Sequence, residues 1–175
     1  MTTTRPDPAA LEAIEAERAR IRAAHLRPQA ERAASTARGL HHTALISSDV
    51  ERTVRFYQDV LGFPLTELIE NRDYPGSSHF FFDLGNSTLL GFFDFPGLGL
   101  EPGREALGTV QHIAISVEPS RHAELRARLD QAGVRYAGPD RGIEESLYFR
   151  DPDGIQIELL RDELMYFGGR HLDRP

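Results

Sequence analysis

The sequence predicts an α+β protein of two tandem βαβββ modules that form a metal-binding cleft, with an N-terminal helical extension in front. Three observations predict it. The apolar period changes at residue 40, from helical spacing to short alternating runs. A pattern of one strand, one helix and three strands then occurs twice, with a stretch rich in Gly and Pro at residues 95–108 between the copies. Each copy carries a histidine on its first strand, His42 and His112, at nearly the same distance before a helix-closing glycine, Gly62 and Gly133.

Residues 1–38 read as a helical arm. Asp7 fits an N-cap and Pro8 a first helical position. Leu11, Ile14, Ile21 and Ala24 share one face, and Pro28 ends the helix. A second, Ala-rich helix is expected over residues 29–37. The apolar stripe is thin, so the arm is expected to pack on the main domain or a partner chain and to serve assembly; a partly ordered extension is the competing reading.

The first module spans residues 39–108. Its first strand, 40–46, carries His41 and His42. Ser48-Asp49-Val50-Glu51 has the form of a capping box. The helix behind it shows Val50, Val54, Tyr57 and Leu61 on one side. Strands follow at 63–69, 79–84 and 88–93, separated by a polar loop at 71–78 and a turn at Gly85-Asn86. The second module spans residues 109–162: a strand at 110–117, a helix opened by Pro119 with Leu125, Leu129 and Ala132 on one face, a strand at 134–137, a loop at 138–145 and a final hairpin. Residues 163–175 read as a tail, a short helix with an irregular end.

Length and composition bound the function. At 175 residues, 40% hydrophobic and 27% charged, the chain can bury one domain or two fused modules. A net charge of −7 argues against nucleic acid and against an anionic membrane as partner. No run is long and apolar enough for a transmembrane helix, and the N-terminus has no apolar signal core, so the cytoplasm is the expected location. With no cysteine, disulfides and thiolate metal sites are excluded.

The hairpin carries the chemistry. Pro152 and Gly154 supply its turn; beyond it Ile155 and Ile157 face one way, Gln156 and Glu158 the other. A carboxylate in an apolar strand needs a partner, because burying it unpaired is costly. A divalent metal is such a partner, and two imidazoles with one carboxylate form a familiar ligand set with open positions. For either histidine alone the competing reading is a hydrogen-bonded core residue.

The segments Leu40-His41-His42-Thr43-Ala44-Leu45, Phe56-Tyr57-Gln58-Asp59-Val60-Leu61-Gly62-Phe63, Gln111-His112-Ile113-Ala114 and Asp151-Pro152-Asp153-Gly154 with Glu158 together resemble the vicinal oxygen chelate superfamily of glyoxalases, extradiol dioxygenases, epimerases and antibiotic-resistance proteins. The resemblance implies a metal on His42, His112 and Glu158, with His41 turned to the opposite face in a structural role. Glyoxalase-type members take a fourth ligand from the last strand of the first module. Aligning Asp83 with Asp151 sets Leu90 opposite Glu158, where no ligand stands. Leu147-Tyr148-Phe149-Arg150-Asp151-Pro152-Asp153-Gly154 fits the extradiol signature, but the acid/base histidine expected shortly before Leu147 is replaced by Pro139, Asp140 and Arg141.

The implied function is a metal-dependent enzyme, with Fe(II) leading and dioxygenase-like chemistry on a small, aromatic, chelating substrate; because members of the superfamily often dimerise, a homodimer is the implied state. Alternatives are a redox-silent isomerase or lyase using Mn, Ni or Zn, and a metal-free resistance protein that sequesters a small molecule. His79 is the candidate replacement acid/base, although the same alignment pairs it with Leu147 and turns it from the cleft. His25, His122 and His171 are assigned to the arm, a helix surface and the tail. Tyr148 is the second catalytic candidate. Arg72, Tyr74, Phe92 and Arg141 are the substrate-binding candidates, Arg141 for an anionic group.

Overall fold

A computed structural model of the chain describes residues 7–138, 146–161, 166–167 and 170–171. The chain divides after Ala37 into two compact units.

In the first unit, α1 spans Pro8–His25. Asp7 caps it by accepting a hydrogen bond from the Ala10 amide at 2.8 Å. It closes at Leu26, ahead of Pro28. None of its residues is buried, and Leu11, Ile14 and Ile21 stay about half exposed. The second helix expected over 29–37 is reduced to one 3-10 turn, Gln29–Glu31. The Ser35 hydroxyl accepts from the Ala37 amide at 3.1 Å, a local bond that competes with the helical one.

The second unit holds two four-stranded mixed sheets. The first contains β1 His42–Ser47, β2 Leu65–Glu70, β3 Ser78–Asp83 and β4 Leu89–Asp94, in the order β1-β4-β3-β2. The second contains β5 Ile113–Ser116, β6 Tyr136–Ala137, β7 Ser146–Arg150 and β8 Gln156–Leu160, in the order β5-β8-β7-β6. In each, the first strand of the module runs parallel to the last, and the other pairs are antiparallel. Both modules therefore have the βαβββ topology that the sequence predicts.

The first module's helix is α2, Val50–Val54, continued by a π-helical turn at Arg55–Val60. Asp49 is the cap, not Ser48: its carboxylate accepts from the Arg52 amide at 2.9 Å. Ser48 is spent elsewhere, donating through its amide (3.1 Å) and hydroxyl (2.5 Å) to Asp153 in the second module's turn. The wider π turn carries Phe56 and Tyr57 inward, and both are buried. Tyr57 donates its hydroxyl proton to Asp151 at 3.0 Å. Burial pushes the Asp151 carboxyl above its usual range, although it also accepts the Asp153 and Ile155 amides at 2.9 and 2.8 Å. The first module's helix is thus fastened to the second module's hairpin.

One core results. Tyr57, Phe82, Leu90 and Phe92 from the first module join Leu129, Leu147, Ile157 and Leu159 from the second. The second module's helix, α3 Pro119–Gln131, buries Leu125 and Leu129 as expected, but also His122, which the sequence placed on a helix surface. Each sheet turns one face to this core and leaves the other open. In the tail, the described residues Tyr166–Phe167 and Arg170–His171 form a small antiparallel pair, β9 and β10, instead of the expected helix. Among the described residues no helix is long and apolar enough to cross a membrane.

Candidate metal centre

On the second sheet the open face is built around Glu158. Ile157 and Leu159 point into the core, so strand alternation sends Glu158 the other way. Its cross-strand partners are Ala114 on β5 and Tyr148 on β7. Glu158 is only 5% exposed. Tyr148 donates its hydroxyl proton to Oε1 at 2.5 Å, and Nε2 of His112 lies 3.0 Å from Oε2. His112 stands just before β5, and its Nδ1 is bonded to Oε1 of the preceding residue, Gln111.

That last bond tests whether a metal fits. With Gln111 accepting from Nδ1, the proton sits on Nδ1 and the Nε2 lone pair faces a carboxylate oxygen. Two lone pairs at this distance repel unless a cation, a proton or a metal ion, lies between them. Two donors each about 2.1 Å from one metal, at right angles, stand about 3.0 Å apart, so the observed separation suits a shared ion. The donors present fit a divalent metal.

On the first sheet the open face carries His42, which is exposed. Its Nδ1 lies 2.8 Å from Nδ1 of His41. β1 begins at His42, so His41 sits outside the strand and is not bound by strand alternation. Its contact with His42 is one that the sequence reading did not assign to it. The His42 ring meets Phe81 edge-on, with centroids 5.9 Å apart. Beyond Phe81 lies His79, 4.2 Å from it and stacked on Phe93 at 3.8 Å. Nε2 of His79 is buried without a hydrogen-bond partner. Desolvation, aided by nearby His42 and opposed by Glu67, holds its pKa below the ordinary imidazole value.

The strand registers correct the alignment of the modules. In the first sheet Ala44 pairs with Gly91 and Gly91 with Phe81; in the second Ala114 pairs with Glu158 and Glu158 with Tyr148. His42 and His112 each stand two residues before the alanine. The counterpart of Glu158 is therefore Gly91, not Leu90, and that of Tyr148 is Phe81, not Phe80. His79 corresponds to Ser146, not Leu147, and so lies on the open face with His42. The Ser146 hydroxyl is also buried without a partner.

The structure brings together His112, Glu158 and Tyr148. It does not bring His42 to them: among the described residues, no three His, Cys, Asp or Glu side chains are grouped to hold a metal. Phe92 is fully buried in the core, so it does not line the cleft. Arg72 is a surface residue bonded to Asp73 at 2.9 Å. Tyr74 packs on Phe95 with centroids 5.4 Å apart. Arg141 lies outside the described residues. Gln111 was missed; its signal, and that of His41, is a polar side chain immediately before a candidate ligand.

Residues 39–159 match the Glyoxalase/Bleomycin resistance protein/Dioxygenase superfamily. The chain is 30% identical over 127 residues to a Bacillus subtilis (strain 168) protein named "Putative ring-cleaving dioxygenase MhqE", a match covering 71% of this chain and 41% of that one. The chain thus spans about two fifths of that relative's length. It is 34% identical over 128 residues to lactoylglutathione lyase of Escherichia coli O157:H7, covering 71% of this chain and 93% of the enzyme. The fold also matches the crystal structure of the fosfomycin resistance protein FosX from Listeria monocytogenes, complexed with Mn(II) and sulfate. The TM-score is 0.57 at 23% identity, covering 74% of this chain and 96% of FosX.

Proposed function

The chain belongs to the glyoxalase/bleomycin resistance protein/dioxygenase superfamily, and from that premise we propose that it is a metal-dependent enzyme with dioxygenase-like chemistry on a small, aromatic, chelating substrate, Fe(II) being the metal and dioxygen the co-substrate. The observation that carries this reading is the buried Glu158 carboxylate, bonded by Tyr148 and facing Nε2 of His112 at 3.0 Å. His42, His112 and Glu158 would hold the metal. A metal there would polarise oxygens on neighbouring carbons of the substrate.

The protein's own groups then divide the work. Tyr148 keeps a phenolic proton beside the site and can turn it to a substrate oxygen. His79 favours its unprotonated form and has an uncommitted Nε2, so it is the candidate proton acceptor in place of the histidine missing near residue 140. The third ligand comes from a second copy. His42 lies on one sheet's open face and the Glu158 pair on the other's. β1 and β5 are both outer strands, with Ile46 on β1 49% exposed and Val110, shortly before β5, 60% exposed. Unpaired apolar edges of this kind invite cover. A homodimer joining the first sheet of one chain to the second sheet of its partner would complete two equivalent sites.

A redox-silent isomerase or lyase using Mn, Ni or Zn is the second reading, favoured by the likeness to lactoylglutathione lyase. Gly91 in the place of a fourth ligand counts against it. The test is metal analysis of untagged protein, then anaerobic Fe(II) loading and oxygen uptake over a panel of catechols. One metal per chain with substrate-dependent oxygen uptake supports the dioxygenase reading. Tight Mn, Ni or Zn without oxygen uptake supports the second, and a protein that takes no metal refutes both.

A further inference from the structure

Gly91 occupies the place that Glu158 holds in the other module, and its lack of a side chain has a visible occupant. A Cβ added there would lie 3.0 Å from Cε1 and 3.1 Å from Cδ1 of Phe81. The ring lies over the glycine, in space that a carboxylate stem would need. Gly91 has no left-handed φ, so close approach and not backbone freedom accounts for the residue. The counterpart ring, Tyr148, meets its histidine in nearly the same way: centroids 6.1 Å apart at 74°, against 5.9 Å and 81° for Phe81 and His42. Only the phenol and the carboxylate are gone. In their place a run of rings, Phe81, His79, Phe93 and Phe95, crosses the open face with successive centroids 4.2, 3.8 and 5.9 Å apart.

Building on the metal-site reading above, we propose that Phe81, seated on Gly91, is the specificity-determining residue of this site: its ring closes the fourth-ligand place and gives the substrate an aromatic wall that selects planar aromatic molecules. An aromatic face offers quadrupole-matched stacking to such a ring and nothing to a polar chain. Phe81 meets His42 in a T-shaped ring contact and supplies no donor atom, so removing it leaves the candidate ligands in place.

The test uses the full-length chain, Mn(II) alone as metal probe and 4-nitrocatechol as aromatic probe, each followed by calorimetric titration. Phe81→Ala should keep Mn(II) affinity within about threefold of wild type yet weaken 4-nitrocatechol by about tenfold, the upper range for an aromatic contact. Gly91→Glu alone should not tighten Mn(II), because the ring blocks the new stem. Gly91→Glu with Phe81→Ala should tighten it by at least about tenfold, the least that even an outer-shell partner contributes. Wild-type affinity for 4-nitrocatechol in Phe81→Ala, or tightening by Gly91→Glu alone, would overturn the proposal while leaving the metal site standing. A wild-type chain that bound no Mn(II) would overturn the metal-site reading and this proposal with it.

Discussion

Beside the strand-entry histidine of the second module stand Glu158 and Tyr148; beside that of the first stand Gly91 and Phe81. The ladders are otherwise the same. In both, a parallel pair joins first and last strands, and a five-residue turn links the two antiparallel ones. The Leu84 amide bonds to the Thr88 carbonyl in one turn as the Asp151 amide bonds to the Ile155 carbonyl in the other, at 3.0 and 2.9 Å. Backbone hydrogen bonding thus preserves the frame while the side chains on its open face diverge. One half offers a buried carboxylate with two polar neighbours, the other an aromatic floor and one exposed imidazole. The composite centre proposed above, with candidate ligands on one side and an apolar wall on the other, would need that asymmetry.

The sharpest way to break the comparison is to make the second module resemble the first. Glu158→Ala removes the carboxylate and should cost at least about 100-fold in Mn(II) affinity, beyond the range for outer-shell changes. Retained affinity in calorimetry would show that the ligand is elsewhere. A smaller effect tests what the modules share. Each candidate ligand histidine has its Nδ1 bonded by the residue before it, His41 or Gln111. His41→Ala and Gln111→Ala should each weaken Mn(II) by about tenfold, and His41→Gln should restore it, since glutamine serves that place in the other module. Loss in only one module would break the parallel.

The smallest effect separates His79 and Ser146, whose Nε2 and hydroxyl are each buried without a hydrogen-bond partner. Burial lowers the His79 pKa in the folded state, so the unprotonated form is favoured there. Its contribution to stability is complete above the ordinary imidazole pKa and is lost as pH falls through the lowered one. Thermal unfolding from about pH 7.5 to about pH 5 should show a shallower loss of stability in His79→Phe than in wild type, whereas Ser146→Ala keeps the wild-type slope. Equal slopes in all three chains would mean that His79 is not desolvated.

Most of the frame was legible in the sequence because it is written in period, turn residues and repetition. Gly62 and Gly133 do adopt positive φ at the helix ends, +76° and +67°. The faces of the first sheet were not legible, for a physical reason. Asp83 and Asp151 each cap the amide two residues on, Gly85 and Asp153, and so look equivalent. Yet Asp83 is still paired in the ladder, with Leu89, while Asp151 lies beyond the last pair, Arg150 with Gln156. Matching them slips the register by one and turns every side chain to the wrong face. That slip set Leu90 opposite Glu158 and turned His79, the acid/base candidate, away from the cleft. His122 was misread because Arg121, Glu124, Arg126 and Arg128 make its helix look solvated, although it falls on the face of Leu125 and Leu129. The split of the candidate ligands between two open faces has no sequence signal, since it depends on how the modules pack.

Complementation between two defective chains tests the composite centre most directly. His42→Ala and Glu158→Gln each spoil one half of a different site. Mixed after dissociation and reassembled, half of the dimers are hybrids, and each hybrid has one site with both halves intact. Tight Mn(II) sites should then return to about a quarter of the wild-type number, although neither variant alone has any. If the mixture binds no more metal than the separate variants, the site is not shared between copies, and the assignment of His42, His112 and Glu158 to one composite centre is contradicted.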